Sequence, residues 1–218
     1  MKTILFLLLS TFSVAFAQHS VRLTGAVPGL DGVMVYLKKT DNKNSKVVTV
    51  DAVKAQNGTF TFSRTIPEVD FYNVSVEGLP GQVQFIWDGN LTLEGTKEAF
   101  REATVKGSPL TDSWLEFQEK VDKPMRDELM TLYNERKNAP NDKDLLQRIE
   151  EDEKRLKAEQ SRQVQERIQA APNSLLSLYL LNWYWPQLPK NEVQNLYKNL
   201  NADLRKHTVA QRLEKLIQ

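Results

Sequence analysis

Two histidines and a run of acidic residues are the side chains best suited to catalysis or metal binding in this sequence. His19 and His207 lie far apart in the chain, and the sequence contains no other histidine and no cysteine to complete a metal site. Glu150–Glu153 are consecutive acidic residues, so on a helix they point around most of its circumference and cannot converge on one cation. The sequence therefore predicts no catalytic residue, no metal site and no cofactor, and the protein is not expected to be an enzyme.

These groups have structural interpretations instead. His207 directly precedes a predicted helix, which favours a surface or capping role. The acidic run is followed by basic residues, and the spacing predicts ion pairs such as Glu150–Lys154 and Glu151–Arg155 along a solvated helix.

Aromatic residues offer the best candidate surface for a ligand or partner. Trp183, Tyr184 and Trp185 are consecutive, and Trp87 lies at the end of a predicted strand. Exposed Trp and Tyr side chains can stack on a sugar ring or enter an apolar groove of another protein. The alternative is core packing, because the segment from Leu175 to Leu181 is apolar nearly all round. Adjacent helical residues diverge by about 100°, so one of the three can still face outward.

The elements that must position these residues change in type near residue 108. Residues 18–108 contain short alternating runs separated by turn residues, which predicts seven or eight strands in an antiparallel β-sandwich or barrel. Gln56-Asn57-Gly58 is the strongest hairpin signal, because Asn-Gly accepts the positive φ angles of a tight turn.

Residues 109–218 are rich in helix formers, so the whole chain is predicted to be α+β. A long charged helix hairpin is expected over about 110–170, with Pro124 kinking its first helix or starting a new segment, and short helices over about 174–218. The pair Thr208 and Gln211 fits a capping box at the last helix. Trp114 begins the hairpin close to the strands and is expected to pack on them or on the apolar helix.

Residues 1–17 have the pattern of a secretory signal peptide: Lys2, an apolar run and Ala15-Phe16-Ala17 before the cleavage point. Removal of Lys2 leaves 28 basic and 28 acidic residues, so net charge gives no case for binding nucleic acid. The absence of cysteine excludes disulfides and a lipid-modified cysteine anchor. An exported protein, periplasmic or secreted, is expected, with no membrane span after cleavage and not a lipoprotein.

The order of strand and turn motifs in the first half resembles a known module. It is similar to the N-terminal β-sandwich domain of unknown function, with its helical connector, that precedes a thioredoxin-like domain in exported Gram-negative thiol-disulfide oxidoreductases. The motifs that carry the resemblance are Leu23-Thr24-Gly25, Asp31–Leu37, Val50–Val53, Asn57–Phe62, Phe71–Val74, Gln84–Trp87, Leu91–Gly95, Val105–Ser108 and Asp112–Phe117.

The resemblance does not extend to redox chemistry. Residues 1–218 contain no cysteine, so the thioredoxin-like domain and its redox residues have no counterparts in this sequence. The expected function is a non-catalytic binding or interaction module whose partner is another envelope protein. The alternatives are an accessory of a separate thioredoxin-like oxidoreductase, and a carbohydrate- or peptide-binding protein that uses its tryptophans.

Overall fold

The computed structural model describes residues 19–42 and 45–218; the predicted leader, residues 1–17, lies outside the described residues. Strands occupy the first half of the described chain, and the protein is α+β, as the sequence predicts. The strands are β1 His19–Ala26, β2 Met34–Thr40, β3 Val47–Lys54, β4 Thr59–Ile66, β5 Asp70–Val76, β6 Val83–Trp87, β7 Leu91–Glu94 and β8 Thr104–Lys106.

The strands form two four-stranded sheets that enclose one core. The first sheet has the order β4-β1-β7-β8 and the second has the order β3-β2-β5-β6. Phe62 and Leu23 of the first sheet belong to the same buried cluster as Phe85 and Val74 of the second. The predicted sandwich is present, and one strand pair departs from the antiparallel arrangement, because β1 and β7 are parallel. After β6 the chain crosses back to the first sheet and runs beside β1 in the same direction.

The Asn57-Gly58 turn is confirmed as tight, with φ angles of 50° and 69°, but it does not join paired strands. β3 pairs with β2, whereas β4 pairs with β1 in the other sheet. A single bridge, Gln56–Thr59, closes the turn. The turn residues therefore determine the local chain reversal. They do not determine whether the two strands that they join pair with each other or lie in different sheets.

Helices make up most of the second half of the described chain. Ser108 begins the first of them, because its side chain accepts a hydrogen bond from the Thr111 backbone N–H at 2.9 Å and Pro109 needs no partner at the first position. The helices are α1 Pro109–Phe117, α2 Lys123–Asn138, α3 Lys143–Ala170, α4 Leu175–Tyr184, α5 Lys190–Asn199 and α6 Thr208–Ile217.

Helices α1 and α2 are joined by a π-helical turn, Gln118–Asp122. The backbone stays helical through the turn, and Pro124 lies in the first turn of α2, where its missing N–H costs little. The sequence predicts a kink or a new segment at Pro124. The structure has a π turn just before Pro124, and a new α-helix begins at Lys123. A π turn adds one residue to a helical turn and shifts the side chains around it.

The helices form a third layer on the outer face of the second sheet. Every residue of β5 is buried, because alternate side chains face the sandwich core and the helices. Phe71 and Ile86 belong to the helical core, and Trp114 packs edge-on against Phe71 with ring centroids 5.2 Å apart, as expected. Thr111 also exchanges hydrogen bonds with the backbone of Ile86 on the edge strand β6. Hydrogen bonds thus connect helix α1 directly to the second sheet.

Polar contacts hold α6 to the strand region at a second place. Glu68 accepts hydrogen bonds from the Thr208 backbone N–H at 3.2 Å and from its hydroxyl at 2.5 Å. His207 contacts the Val69 carbonyl through Nε2 at 2.9 Å, and its Nδ1 accepts from the Val209 N–H. His207 is therefore the N-cap of α6, which confirms its capping role. The capping box predicted for Thr208 and Gln211 is wrong, because the helix begins one residue earlier than that motif requires.

The charged hairpin of α2 and α3 has a small core of its own, formed by Met125, Leu132, Ile149 and Leu156. Ion pairs cross between the two helices. Arg155 of α3 contacts Glu128 of α2 at 3.1 Å. Within α3 it contacts Asp152 at 3.2 Å, so the predicted pair with Glu151 is not the one formed. Among the described residues, no helix is both long and apolar enough to cross a membrane.

Candidate functional site

The aromatic residues singled out from the sequence lie in different environments. Trp183, in the last turn of α4, is 39% exposed, whereas Tyr184 beside it is buried. Trp185 begins a 3₁₀ turn and is half-buried. Trp87 is fully buried between the sheets against Tyr72 and Phe85, so it does not lie on a binding surface. Trp87 is therefore removed from the candidate surface, because its strand end lies inside the sandwich core.

Trp183 and Tyr184 border a cleft of about 420 Å³ where the sheet and three helices meet. A volume in this range is typical of small-molecule sites, roughly 300–1,000 Å³. The lining residues come from β6, α1, the π turn, α3, α4 and the 3₁₀ turn after it. They are Gln84, Trp114, Gln118, Asp122, Gln160, Trp183, Tyr184 and Gln187.

A buried carboxylate organises the polar wall of the cleft. Asp122 is 8% exposed and accepts a hydrogen bond from Gln118 Nε2 at 2.5 Å and one from Gln160 Nε2 at 3.2 Å. The Tyr184 hydroxyl donates to the same carboxylate, and the Gln160 amide also contacts that hydroxyl at 3.3 Å. A network of this kind fixes the positions of its members, because each buried polar group is satisfied only in one geometry.

Gln118 and Asp122 lie at the two ends of the π turn and share this wall. The two residues are four apart at the ends of the turn, and their side chains are hydrogen-bonded to each other. π turns inside α-helices are frequent at functional sites. Here the last residue of the turn, Asp122, contacts the amide of Gln160 on α3 and the phenol of Tyr184 on α4.

The network keeps the Tyr184 phenol protonated. Burial of the phenol and its hydrogen bond to Asp122 raise the pKa of Tyr184 well above its ordinary value of 10. The hydroxyl therefore acts as a fixed hydrogen-bond donor at neutral pH and does not act as a base.

Trp114 and Trp183 provide the apolar part of the cleft. Both indoles pack on Phe71, with ring centroids at 5.2 and 5.3 Å, and Trp183 also contacts Tyr179 at 5.4 Å. The Trp114 Nε1 is buried and makes no hydrogen bond within the described residues. An aromatic surface beside amides and a carboxylate can take a ligand that has both an apolar face and hydrogen-bonding groups.

A second depression of about 650 Å³ adjoins this cleft along the edge of β6. It shares Gln84, Trp114 and Gln118 with the cleft and extends toward Arg101 and Arg126. Together the two form a groove between the sheet edge and the first helix. No group of three or more acidic or histidine side chains in the described part of the chain could hold a metal ion.

Of the residues that line the candidate cleft, the sequence singled out Trp183 and Tyr184 as candidates but not the others. Trp114 was assigned to packing, and Gln118, Asp122 and Gln160 carry no motif. The only local signal was Gln118 and Asp122 at helical spacing, which is common on solvated helices.

One family model matches the part of the chain that contains the strands. Residues 21–114 match the family model described as Domain of unknown function (DUF4369). Residues 21–114 are a DUF4369 domain. The DUF4369 match ends at Trp114, so it includes the strands, the start of α1 and one wall of the cleft. No curated protein and no solved structure matches the chain.

Proposed function

We propose that the protein is an exported, non-catalytic binding module whose ligand site is the cleft around Asp122. The observation that carries the proposal is a hydrogen-bonded set in a cleft that two tryptophans also line. The set consists of Asp122, Gln118, Gln160 and Tyr184. The Asp122 carboxylate accepts hydrogen bonds from three neighbouring side chains and holds them in place. This role suits a site that binds a ligand without reacting with it. The signal-peptide pattern of residues 1–17 supports export, and a periplasmic location is part of the proposal.

The cleft needs both halves of the chain, which also supports a binding role. Gln84 comes from a strand, whereas the other lining residues come from the helical region. Ligand sites commonly lie where structural layers meet, because such junctions are concave. The DUF4369 domain would thus supply one wall and the helices the remainder.

A thermal-shift screen with small polar solutes tests this function. A solute present at 100 times its Kd stabilises the fold by about 2.7 kcal/mol and raises the Tm by roughly 5–10 °C. The variant Gln84→Ala/Gln187→Ala removes two exposed amides from the cleft and is expected to abolish the shift. Gln147→Ala, an exposed glutamine on α3 outside the cleft, is the matched control. A screen of sugars, amino acids, dipeptides and nucleosides without any shift, or a shift that survives the double substitution, would contradict the proposal.

The sequence resemblance supports a second candidate, an accessory role beside a separate thiol-disulfide oxidoreductase. Pull-downs from envelope extracts with the protein as bait test it. Recovery of a thioredoxin-like protein would support the accessory role, and extracts that yield no thiol oxidoreductase would count against it.

A further inference from the structure

The hydrogen-bonding groups of the cleft are mostly side-chain amides. Gln84, Gln118, Gln160 and Gln187 each carry a carbonyl acceptor and an NH₂ donor in one plane. A hydroxyl group both donates and accepts, so a planar amide can satisfy neighbouring hydroxyls of one ligand. Among the described residues that line the cleft, Asp122 alone is charged, and it already accepts hydrogen bonds from three neutral groups. These lining residues include no cationic side chain that could pair with an anionic ligand, and three donors already satisfy the Asp122 carboxylate, so the lining favours a ligand without charge.

The aromatic surface adds the second requirement. Trp183 is 39% exposed at the mouth of the cleft, and its indole is supported from behind by Phe71 and Tyr179. A supported, partly exposed indole loses little conformational freedom when a ligand stacks on it. The C–H face of a pyranose ring is the apolar surface that a hydroxyl-rich ligand presents to such an indole.

The groove is longer than a single ring requires. The cleft of about 420 Å³ and the adjoining depression of about 650 Å³ share three lining residues, among them Trp114 with its unpartnered indole N–H. A chain of sugar rings can stack at Trp183 and continue along the edge of β6. The adjoining depression is lined by two arginines and two glutamates, so its formal charges balance.

Resting on the proposed binding function, we infer that the ligand is a neutral oligosaccharide. Trp183 stacks on one ring. The exposed amides of Gln84 and Gln187 bind its hydroxyls, together with the carbonyl oxygens of the two amides whose Nε2 atoms donate to Asp122. Binding leaves the glycosidic bonds intact.

Fluorescence titration of the purified protein with maltotriose, cellotriose, xylotriose and triacetylchitotriose tests the inference. At least one trisaccharide is expected to give a saturable change and to bind tenfold or more tightly than its monosaccharide. Trp183→Ala is expected to weaken binding roughly tenfold. Tyr133→Ala removes an exposed aromatic of α2 outside the cleft and is expected to change nothing. Gln187→Ala, at an exposed position, supplies a second cleft variant if Trp183→Ala fails to fold.

The comparison arms separate this inference from the proposed function. Binding of glycylglycine, lysine or choline that depends on Gln187, with no trisaccharide bound, would overturn the saccharide assignment and leave the binding function standing. Trisaccharide binding that is unaffected by both Trp183→Ala and Gln187→Ala would overturn the assignment to this cleft. No binding by any of these probes would overturn both.

Discussion

Trp183 lies at the mouth of the cleft with much of its indole in solvent, whereas Trp87 and Trp114 are buried. Iodide quenches only tryptophans that it can reach. We therefore expect iodide to quench part of the intrinsic fluorescence, and Trp183→Phe to reduce the quenchable fraction. Trp185→Phe is the control, because Trp185 is half-buried and does not line the cleft. A quenchable fraction that is unchanged in Trp183→Phe would show that this indole is covered in solution.

Tyr184 links the cleft to stability at alkaline pH. Burial and the Asp122 hydrogen bond raise the pKa of the folded-state phenol, whereas in the unfolded chain it ionises near pH 10. The resulting stability is fully present below pH 10 and is lost as pH rises toward the folded-state pKa. Urea unfolding at pH 8 and pH 11 is expected to show a smaller loss for Tyr184→Phe than for the wild type. Equal losses in the two proteins would mean that the phenol is not held by this network.

At the residue scale, the sequence indicated the aromatic row but could not identify the carboxylate. Trp183 was detectable because three adjacent aromatics on a helix cannot all be buried on one side. Asp122 acquires its role from a π turn and from the approach of α3 and α4, and neither is encoded in the residues next to it. The buried position of Trp87 agrees with the core-packing alternative, because a strand end carries no local sign of whether the other sheet covers it.

At the element scale, helix α1 is the part that joins the two halves. Trp114 packs on Phe71 of β5 and lies in the same core as the apolar helix α4. Trp114→Ala is expected to lower the free energy of unfolding by about 3–5 kcal/mol, the usual cost of removing a large buried aromatic. Glu151→Ala, at an exposed position on α3, is expected to stay within about 0.5 kcal/mol of the wild type. Urea melts measure both, and a Trp114→Ala protein as stable as the wild type would contradict this anchoring.

The positions of most elements could be predicted, but their partners could not. Alternation in Thr59–Phe62 indicated a strand with one buried face, and the structure confirms that Phe60 and Phe62 are buried. Alternation does not specify which sheet a strand joins, so the separation of β3 from β4 was not predictable. The docking of α6 through Glu68 and His207 depends on residues about 140 positions apart, and no local pattern links them.

At the scale of the whole molecule, the cleft exists only because sheet and helices are packed together. Gln84 lies on the sheet, Asp122 after α1, Gln160 on α3 and Trp183 on α4. The contacts of Thr111 with β6 and of Thr208 with Glu68 hold these layers at two separate places. We therefore interpret the strand and helical regions as one structural unit, to which our proposal assigns ligand binding.

The most direct test of this account is a titration that follows the ¹H–¹⁵N signals of the indole N–H groups. The titrant is a solute that stabilises the protein in the thermal-shift screen. The chain has four tryptophans, so their signals can be assigned by single Trp→Phe substitutions. Our account predicts that the Trp114 and Trp183 signals shift with a common Kd while the Trp87 signal stays in place. Trp87 lies inside the sandwich and does not line the cleft, which makes it an internal control. Saturable binding that moves neither Trp114 nor Trp183 would contradict the assignment of this cleft as the ligand site.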